Sequence, residues 1–334
     1  YKGAGAYDKA LEFVKRKKGR WCFKQNGDED KSYNYSGKFE NGDDMVDHIL
    51  DMKKVWTENI DFDLQAFVPG HECAIEGFFN GKDFLRDKEG EDFFIVNWEH
   101  KKKSNDDLGS TTGEVCTLQY RPNPGTKLIT ELKKIEPYLR KIGYIGNVDL
   151  NFIIDEQDGL AKPLEWTNRW GFPSLHMHEE MIRTPFSEFI ERTVEGDNEF
   201  LGYDPGWCVV VVVTVPPFPF HSGKAESNAK GQRIYFLKDG EWTGQDNLAK
   251  DKLRHIHPYE VKFDKETKRY ICTGDDGYLL AVTASGESIE EANCNALERI
   301  ESNVFVDKMD FRTDCGVNQR VQDSVGYMTE NGYL

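Results

Sequence analysis

The stretch Gly146–Phe172, GNVDLNFIIDEQDGLAKPLEWTNRWGF, sets acidic and amide residues inside two runs otherwise built as β-strands. Val148, Leu150, Phe152 and Ile154 alternate with Asp149 and Asn151, a period of two that puts both polar side chains on one strand face. Beyond the turn DEQDG, a second short apolar run around Pro163 and Leu164 carries Glu165, followed by Thr167. A hairpin closed at that turn brings Asp149 and Glu165 onto neighbouring strands. Two carboxylates that close repel each other unless a cation lies between them, and hard oxygen ligands with amide neighbours suit Mg²⁺ or Mn²⁺. The same pattern also fits a solvated hairpin face.

Other clusters carry weaker chemistry. EHKKKSNDDLGSTTG joins His100, Lys101, Lys102 and Lys103 to a run rich in backbone donors, an arrangement that can hold an anionic substrate or end a solvated strand. Lys24 follows Phe23 at the end of a strand, where a Lys can meet a nucleotide phosphate, and the loop 28–38 with Lys31 and Lys38 fits a phosphate cover or a solvated loop. His176 and His178 in LHMHEE alternate like metal ligands, although Glu179 and Glu180 beside them read more simply as a helix start. GxSxG, GxGxxG and GxxxxGK[ST] are absent.

The elements that must position these residues follow from periodicity. YDKALEFVKRKKG and GDDMVDHILDMKKV have helical spacing, as does TKLITELKKIEPYLRKIG, read as one helix leading into the hairpin. RWCFK, DLQAFVPGHECAIEGFFNGKDF and FFIVNWEHKKK read as strands, and NDDLGSTTGE as a loop by composition. SEFIERTVEG reads as a helix, after which Gly, Asp and Pro in EFLGYDPGW point to a boundary near residue 200. CVVVVVTV reads as a strand covered on both faces. SIEEANCNALERIES opens with Ser288 and has Glu291 three residues later, the signature of a capped helix.

At 334 residues the chain is long enough for a full core and for two folded units. Its net charge of −16 argues against a general grip on nucleic acid or an anionic membrane. The seven cysteines lack CxxC spacing, so neither a zinc site nor a disulfide framework is indicated, and a reducing cytoplasm fits. No signal peptide is read at Tyr1, and the missing initiator Met suits a chain that starts inside a longer protein or follows processing.

Taken in order, these pieces resemble the ATP-grasp superfamily and, within it, the glycinamide ribonucleotide synthetase family. The match runs through FVPGHECAIEGFFNGKDF, EHKK followed by GSTTG, PLEWTNRWGFP, and GYLLAVTASGESIEEANCNALERIESNVFVDKMDFRTDCG. The resemblance implies an α+β chain: an ATP-grasp fold of two α/β subdomains clasping nucleotide, with a small C-terminal α/β domain. Its implied divisions are 1–60 and 61–200 for the two subdomains, 205–322 for the C-terminal domain and 323–334 for a tail. It implies an ATP-dependent ligase that joins a carboxylate to an amine through an acylphosphate, with ATP and Mg²⁺ or Mn²⁺ as cofactors. The partners are then small-molecule amine and carboxylate substrates, with no nucleic acid and no membrane. Lys24, Gln65 and Glu72 would contact the nucleotide, and Asp149, Glu165 and Asn168 the metal. Arg169 and Lys102 would be the catalytic cations, and His100, Lys101 and Thr112 would meet substrate. The chain departs from the family at Thr167, where the usual metal-binding Asn would stand, and at Phe172, which replaces an acidic residue. Glu114 stands where a glycine is usual, and is expected to set a negative charge against a substrate phosphate.

Overall fold

The apolar spacing of the first helix buries Ala10, Leu11 and Val14 along one side of α1 (Ala6–Arg16), and Met45, Ile49 and Met52 do the same for α2 (Asp43–Val55). Both cover one face of a small antiparallel sheet of order β2-β1-β3, made of β1 (Trp21–Gln25), β2 (Tyr35–Ser36) and β3 (Phe62–Ala66). Trp21, Phe23 and Phe62 pack into these helices. Register pairs Lys24 with Asp63 and Cys22 with Gln65, so alternation puts Lys24 and Gln65 together on the sheet's other face. This is the first of two compact units, residues 1–70 and 71–334. The computed structural model describes residues 1–3, 5–26, 33–55, 61–197, 202–220, 229–248 and 251–334. Lys31 of the expected phosphate cover and the expected boundary near residue 200 lie outside the described residues.

The second unit is built on an eight-stranded sheet of order β11-β14-β9-β6-β5-β4-β7-β8. Its strands are β4 (Gly70–Asn80, second-unit from His71), β5 (Phe94–Ser104), β6 (Leu108–Tyr120), β7 (Ile145–Asp155), β8 (Ala161–Trp166), β9 (Trp207–Thr214), β11 (Ile256–Pro258) and β14 (Tyr278–Gly286). A four-stranded sheet, β12-β13-β10-β15, comprises β10 (Arg233–Phe236), β12 (Val261–Asp264), β13 (Arg269–Cys272) and β15 (Val304–Val306). One face of the large sheet packs against α3 (Lys127–Lys133), α4 (Glu136–Ile142), α7 (Ile289–Asn303) and α8 (Gln319–Glu330) through Leu128, Leu132, Leu139, Ala296, Ile300, Val321 and Met328. The other face meets α5 (Leu175–Met181) and α6 (Phe186–Glu195) through Met177, Met181 and Phe189. Cover on both faces explains β9, whose Cys208–Thr214 run is buried throughout.

Three sequence expectations change. The helix expected over residues 126–143 is two, because Pro137 has no N–H to give back to the preceding turn and its ring crowds the carbonyl one turn before it, so it sits in the first turn of a new helix. The expected loop NDDLGSTTGE shrinks to a single 3₁₀ turn at Asn105–Asp107, and GSTTG joins β6, pairing Thr111 with Lys102. Pairing with β5 overrides a composition that by itself reads as loop. The stretch 323–334 belongs to the core: Trp98 Nε1 donates to Ser324 Oγ at 2.9 Å, and Met328 and Tyr333 are buried. Ser288 caps α7 as its sequence indicates, accepting from the Glu291 N–H at 3.1 Å, while the Glu291 carboxylate reaches back to the Glu287 N–H.

Candidate functional site

Strand alternation gathers acids onto the face of the large sheet that α5 and α6 partly cover. On β4 this face carries Glu72 and Glu76, on β5 Glu99 and Lys101, and on β7 Asn147, Asp149 and Asn151. Asn151 pairs with Glu165 of β8, which places the two hairpin carboxylates on the same face. Asp149 is almost fully buried and Glu165 is exposed at the sheet edge.

Asp149 is the least satisfied of these groups. Its Oδ2 accepts from Thr167 Oγ1 at 2.6 Å, while Oδ1 is buried with no hydrogen-bond partner. Burial foremost, then the charge of Glu76, pushes its carboxyl up to about 8, against the pull of the Thr167 hydroxyl and Arg169. Asn151 Nδ2 also donates to Thr167 Oγ1, at 3.2 Å, and Asn147 Oδ1 is likewise buried without a partner. The donors facing Asp149 are therefore carboxylate, amide and hydroxyl oxygens, a hard set that fits Mg²⁺ or Mn²⁺, and the orphaned Asp149 oxygen is where such an ion would bring compensation.

Glu76 shows the opposite solution. His178 Nε2 lies 2.8 Å from its Oε1, and Asn147 Nδ2 donates to its Oε2 at 2.6 Å. Burial raises the Glu76 carboxyl, but His178 and Asn147 outweigh it and hold the group below its usual range. Lys101 Nζ sits 3.1 Å from Glu99 and 3.5 Å from Glu72. Burial would depress its ammonium, yet Glu99, Glu72 and the nearby Glu165 raise it, so the cation is firmly charged. Burial, with Glu99 beside it, pushes Glu114 well above the usual carboxylate range. The negative charge expected of Glu114 is thus disfavoured where the side chain sits, and its Oε1 accepts a hydrogen bond from Thr117 Oγ1.

Of the residues singled out by sequence, the second unit brings together Glu72, Lys101, Asp149 and Glu165, with the Arg169 charge acting on Asp149 and Glu114. Four are placed elsewhere or otherwise engaged. His100 is fully buried on the opposite face, its Nε2 accepting from the Gly316 N–H at 3.1 Å and its Nδ1 lying 3.6 Å from Asp107. Lys102, on that same side by alternation, donates to Thr111 Oγ1 at 2.8 Å, and Thr112 Oγ1 is spent on the Lys101 carbonyl at 2.9 Å. Asn168 is exposed beyond Thr167, so it is the Thr167 hydroxyl that touches Asp149. Lys24 and Gln65 share a face of the first unit's sheet.

The His100 result has a partner in the far sequence. The buried Arg312 of FRTDCG binds Asp314 through two parallel hydrogen bonds at 2.8 and 2.7 Å, Asp107 Oδ1 at 2.8 Å and the Lys102 carbonyl at 3.0 Å. Gly316 has φ 74, and a Cβ there would meet Ile289 at 2.8 Å, so glycine is required. His100, Asp107 and Arg312 thus form a brace that fixes the β5–β6 turn. Glu76, Glu99 and Asn147 are the site residues that sequence reasoning missed. Their signal was parity: Glu72 and Glu76 share a strand face, as do Asn147, Asp149 and Asn151.

No protein-family model matches the chain. A phosphoribosylamine–glycine ligase of Caldanaerobacter subterraneus subsp. tengcongensis is 23% identical over 251 residues, covering 72% of this chain and 53% of the relative, so the chain spans about half the length of the curated relative it matches. The solved phosphoribosylamine–glycine ligase of Thermotoga maritima superposes with a TM-score of 0.65 at 19% identity, covering 92% of this chain and 72% of the other. Phosphoribosylglycinamide synthetase of Anaerococcus prevotii reaches a TM-score of 0.48 at 14% identity, covering 92% of this chain and 68% of the other. The chain has the ATP-grasp fold, within an α+β architecture.

Proposed function

We propose that this chain is an ATP-dependent carboxylate–amine ligase that forms an amide through an acylphosphate. The observation that carries this reading is the buried, half-satisfied Asp149 beside Thr167 and Asn151, with Glu165 across the strand pair. Asp149 and Glu165 would hold Mg²⁺, which when bound neutralises phosphate charge and draws the nucleotide oxygens into line.

The chain's own residues do the rest. Glu165 and Asp149 supply carboxylate oxygens from two adjacent strands whose spacing the sheet fixes. Glu76 has a partner of its own in this group, with His178 Nε2 2.8 Å from its Oε1. Glu72, on the same face, is the proposed contact for ribose hydroxyls, and Lys24 and Gln65 are the proposed nucleotide contacts of the first unit. Lys101, held charged among Glu99, Glu72 and Glu165, offers an ammonium to substrate oxygens. Arg169 is proposed to stabilise charge on the transferring phosphoryl group. A substrate carboxylate oxygen bonds to the γ-phosphorus as ADP leaves. The amine then bonds to the acyl carbon, phosphate departs, and the amine nitrogen loses a proton.

The divisions 1–60, 61–200 and 205–322 are retained as proposals about function. Lys102, His100, Thr112 and Asn168 stay outside the proposed chemistry, since each is braced, spent or turned away. A second reading, a nucleotide-binding protein without turnover, draws on Thr167, whose hydroxyl occupies one Asp149 oxygen. Release of ADP with Mg²⁺ and a panel of carboxylates and amines decides between them: turnover supports the ligase, and nucleotide binding with no ADP release from any pair supports the second reading.

A further inference from the structure

We propose that His176, Glu179 and His257 form a binding site for one first-row divalent transition ion, Zn²⁺ or an ion of its class, separate from the Asp149 site. The spacing of His176 and Glu179 places them on one side of α5, and β11 carries His257 beneath them. His176 Nδ1 lies 3.0 Å from Glu179 Oε2 and His257 Nδ1 lies 3.7 Å from the same oxygen. The three ligand atoms lie within 4.8 Å of one another.

The hydrogen bonds behind His257 set which nitrogen is free. Glu180 is gripped by Arg299 at 2.9 Å and by His255 at 2.6 Å, so it stands as a carboxylate that only accepts. Thr283 Oγ1 donates its one proton to Glu180 Oε2 at 2.9 Å, and therefore accepts from His257 Nε2–H at 3.3 Å. The His257 lone pair is left on Nδ1, facing the Glu179 carboxylate at a distance too long for a hydrogen bond. His257 Nδ1 and Glu179 Oε2 face each other as acceptors, with His176 Nδ1 hydrogen-bonded to the same oxygen at 3.0 Å, and a cation taking the place of that hydrogen bond would be shared by all three. A ligand imidazole whose other nitrogen is anchored by a hydroxyl and a carboxylate behind it is the usual support of a metal site.

His176 stacks on His257 with ring centroids 3.8 Å apart, and it is the more exposed ring, so it is the one that turns to share an ion. Two imidazoles and a carboxylate favour Zn²⁺ or its neighbours over Mg²⁺, and three protein ligands leave a position for water. His178, which the sequence pairs with His176, is not part of this site: it faces Glu76. The alternating pattern therefore splits, one histidine to each site.

The test uses the full chain, stripped with a chelator and titrated with Co²⁺ in the absence of nucleotide. Visible absorption should report one Co²⁺ per chain bound by nitrogen and oxygen, without sulfur-to-cobalt bands. His176→Ala and Glu179→Gln, both partly exposed and neither central to the core, should each weaken binding by about tenfold or more at an unchanged melting temperature. Glu165→Gln should bind Co²⁺ as the unaltered chain does, which separates this site from the proposed nucleotide metal. No binding, binding untouched by both substitutions, or sulfur bands from the buried His100, Cys116 and Cys315 cluster would each overturn the proposal.

Discussion

The buried pair of Glu76 and His178 offers a prediction whose size can be worked from the structure. Both side chains are almost fully withdrawn from water, and His178 also sets its ring edge-on to Phe78 at 5.4 Å. His178→Ala leaves an ionised Glu76 with Asn147 as its remaining close donor. Removing one partner of a buried pair costs about 3–5 kcal/mol, to which the lost ring contact adds about 0.5–1.5 kcal/mol. Glu76→Gln removes the charge but keeps an oxygen for Asn147, so the double variant should be less damaged than the two singles added together. A coupling of about 1–3 kcal/mol is expected from urea unfolding of the four proteins. The pH dependence has a definite sign. The folded Glu76 carboxyl lies below its ordinary value of 4.5, so its contribution is present above that pH and is lost as pH falls through the folded value. The gap between the unaltered chain and Glu76→Gln should therefore close in acid. Single losses below about 1 kcal/mol that simply add, or a gap indifferent to pH, would refute the reasoning.

Three further outcomes follow from the same structure. Ser324→Ala orphans the buried Trp98 N–H and should cost about 1–3 kcal/mol in urea unfolding, whereas a loss near zero would mean that Trp98 finds another acceptor. Arg312→Met leaves Asp107 and Asp314 without their shared cation and should cost about 3–5 kcal/mol, with amide exchange rising first in residues 104–111. Glycine with phosphoribosylamine should be a poor substrate pair in ADP release. Phe172 lies 4.6 Å from Tyr259 and 5.5 Å from Tyr278 in an aromatic group that has no carboxylate for a charge-assisted hydrogen bond to a small ammonium, so turnover in the usual enzyme range of about 1 to 10³ per second would contradict this.

What was legible in the sequence was whatever a single strand or helix encodes. Alternation alone put Asp149 and Asn151 on one face, and the turn DEQDG gave the hairpin that carries Glu165. The Ser288 cap and the doubly covered β9 were equally local. Parity set Glu76 on the face of Glu72, but the partner that lets an acid stand inside AIEGFF, His178, comes from a distant helix that no local pattern points to. His100 read as a substrate ligand because its neighbours are lysines, while its actual partners, Asp107 and Gly316, come from a loop and from the far C-terminal element. GSTTG read as a loop for the same reason: composition reports local preference, and the pairing of β5 with β6 is not local.

In the proposed function the Asp149–Glu165 hairpin holds the metal of a metal–nucleotide complex. Calorimetric titration of ATP with and without Mg²⁺ into the unaltered chain, Glu165→Gln and Asp149→Asn tests it most directly. Nucleotide binding should depend on Mg²⁺ and weaken strongly in Glu165→Gln at an unchanged apo melting temperature, as Glu165 is exposed and carries no core contact. Asp149→Asn should lose less, since burial and the Glu76 charge already disfavour the Asp149 charge that the substitution removes. Affinity unchanged in Glu165→Gln, or ATP binding indifferent to Mg²⁺, would contradict the account.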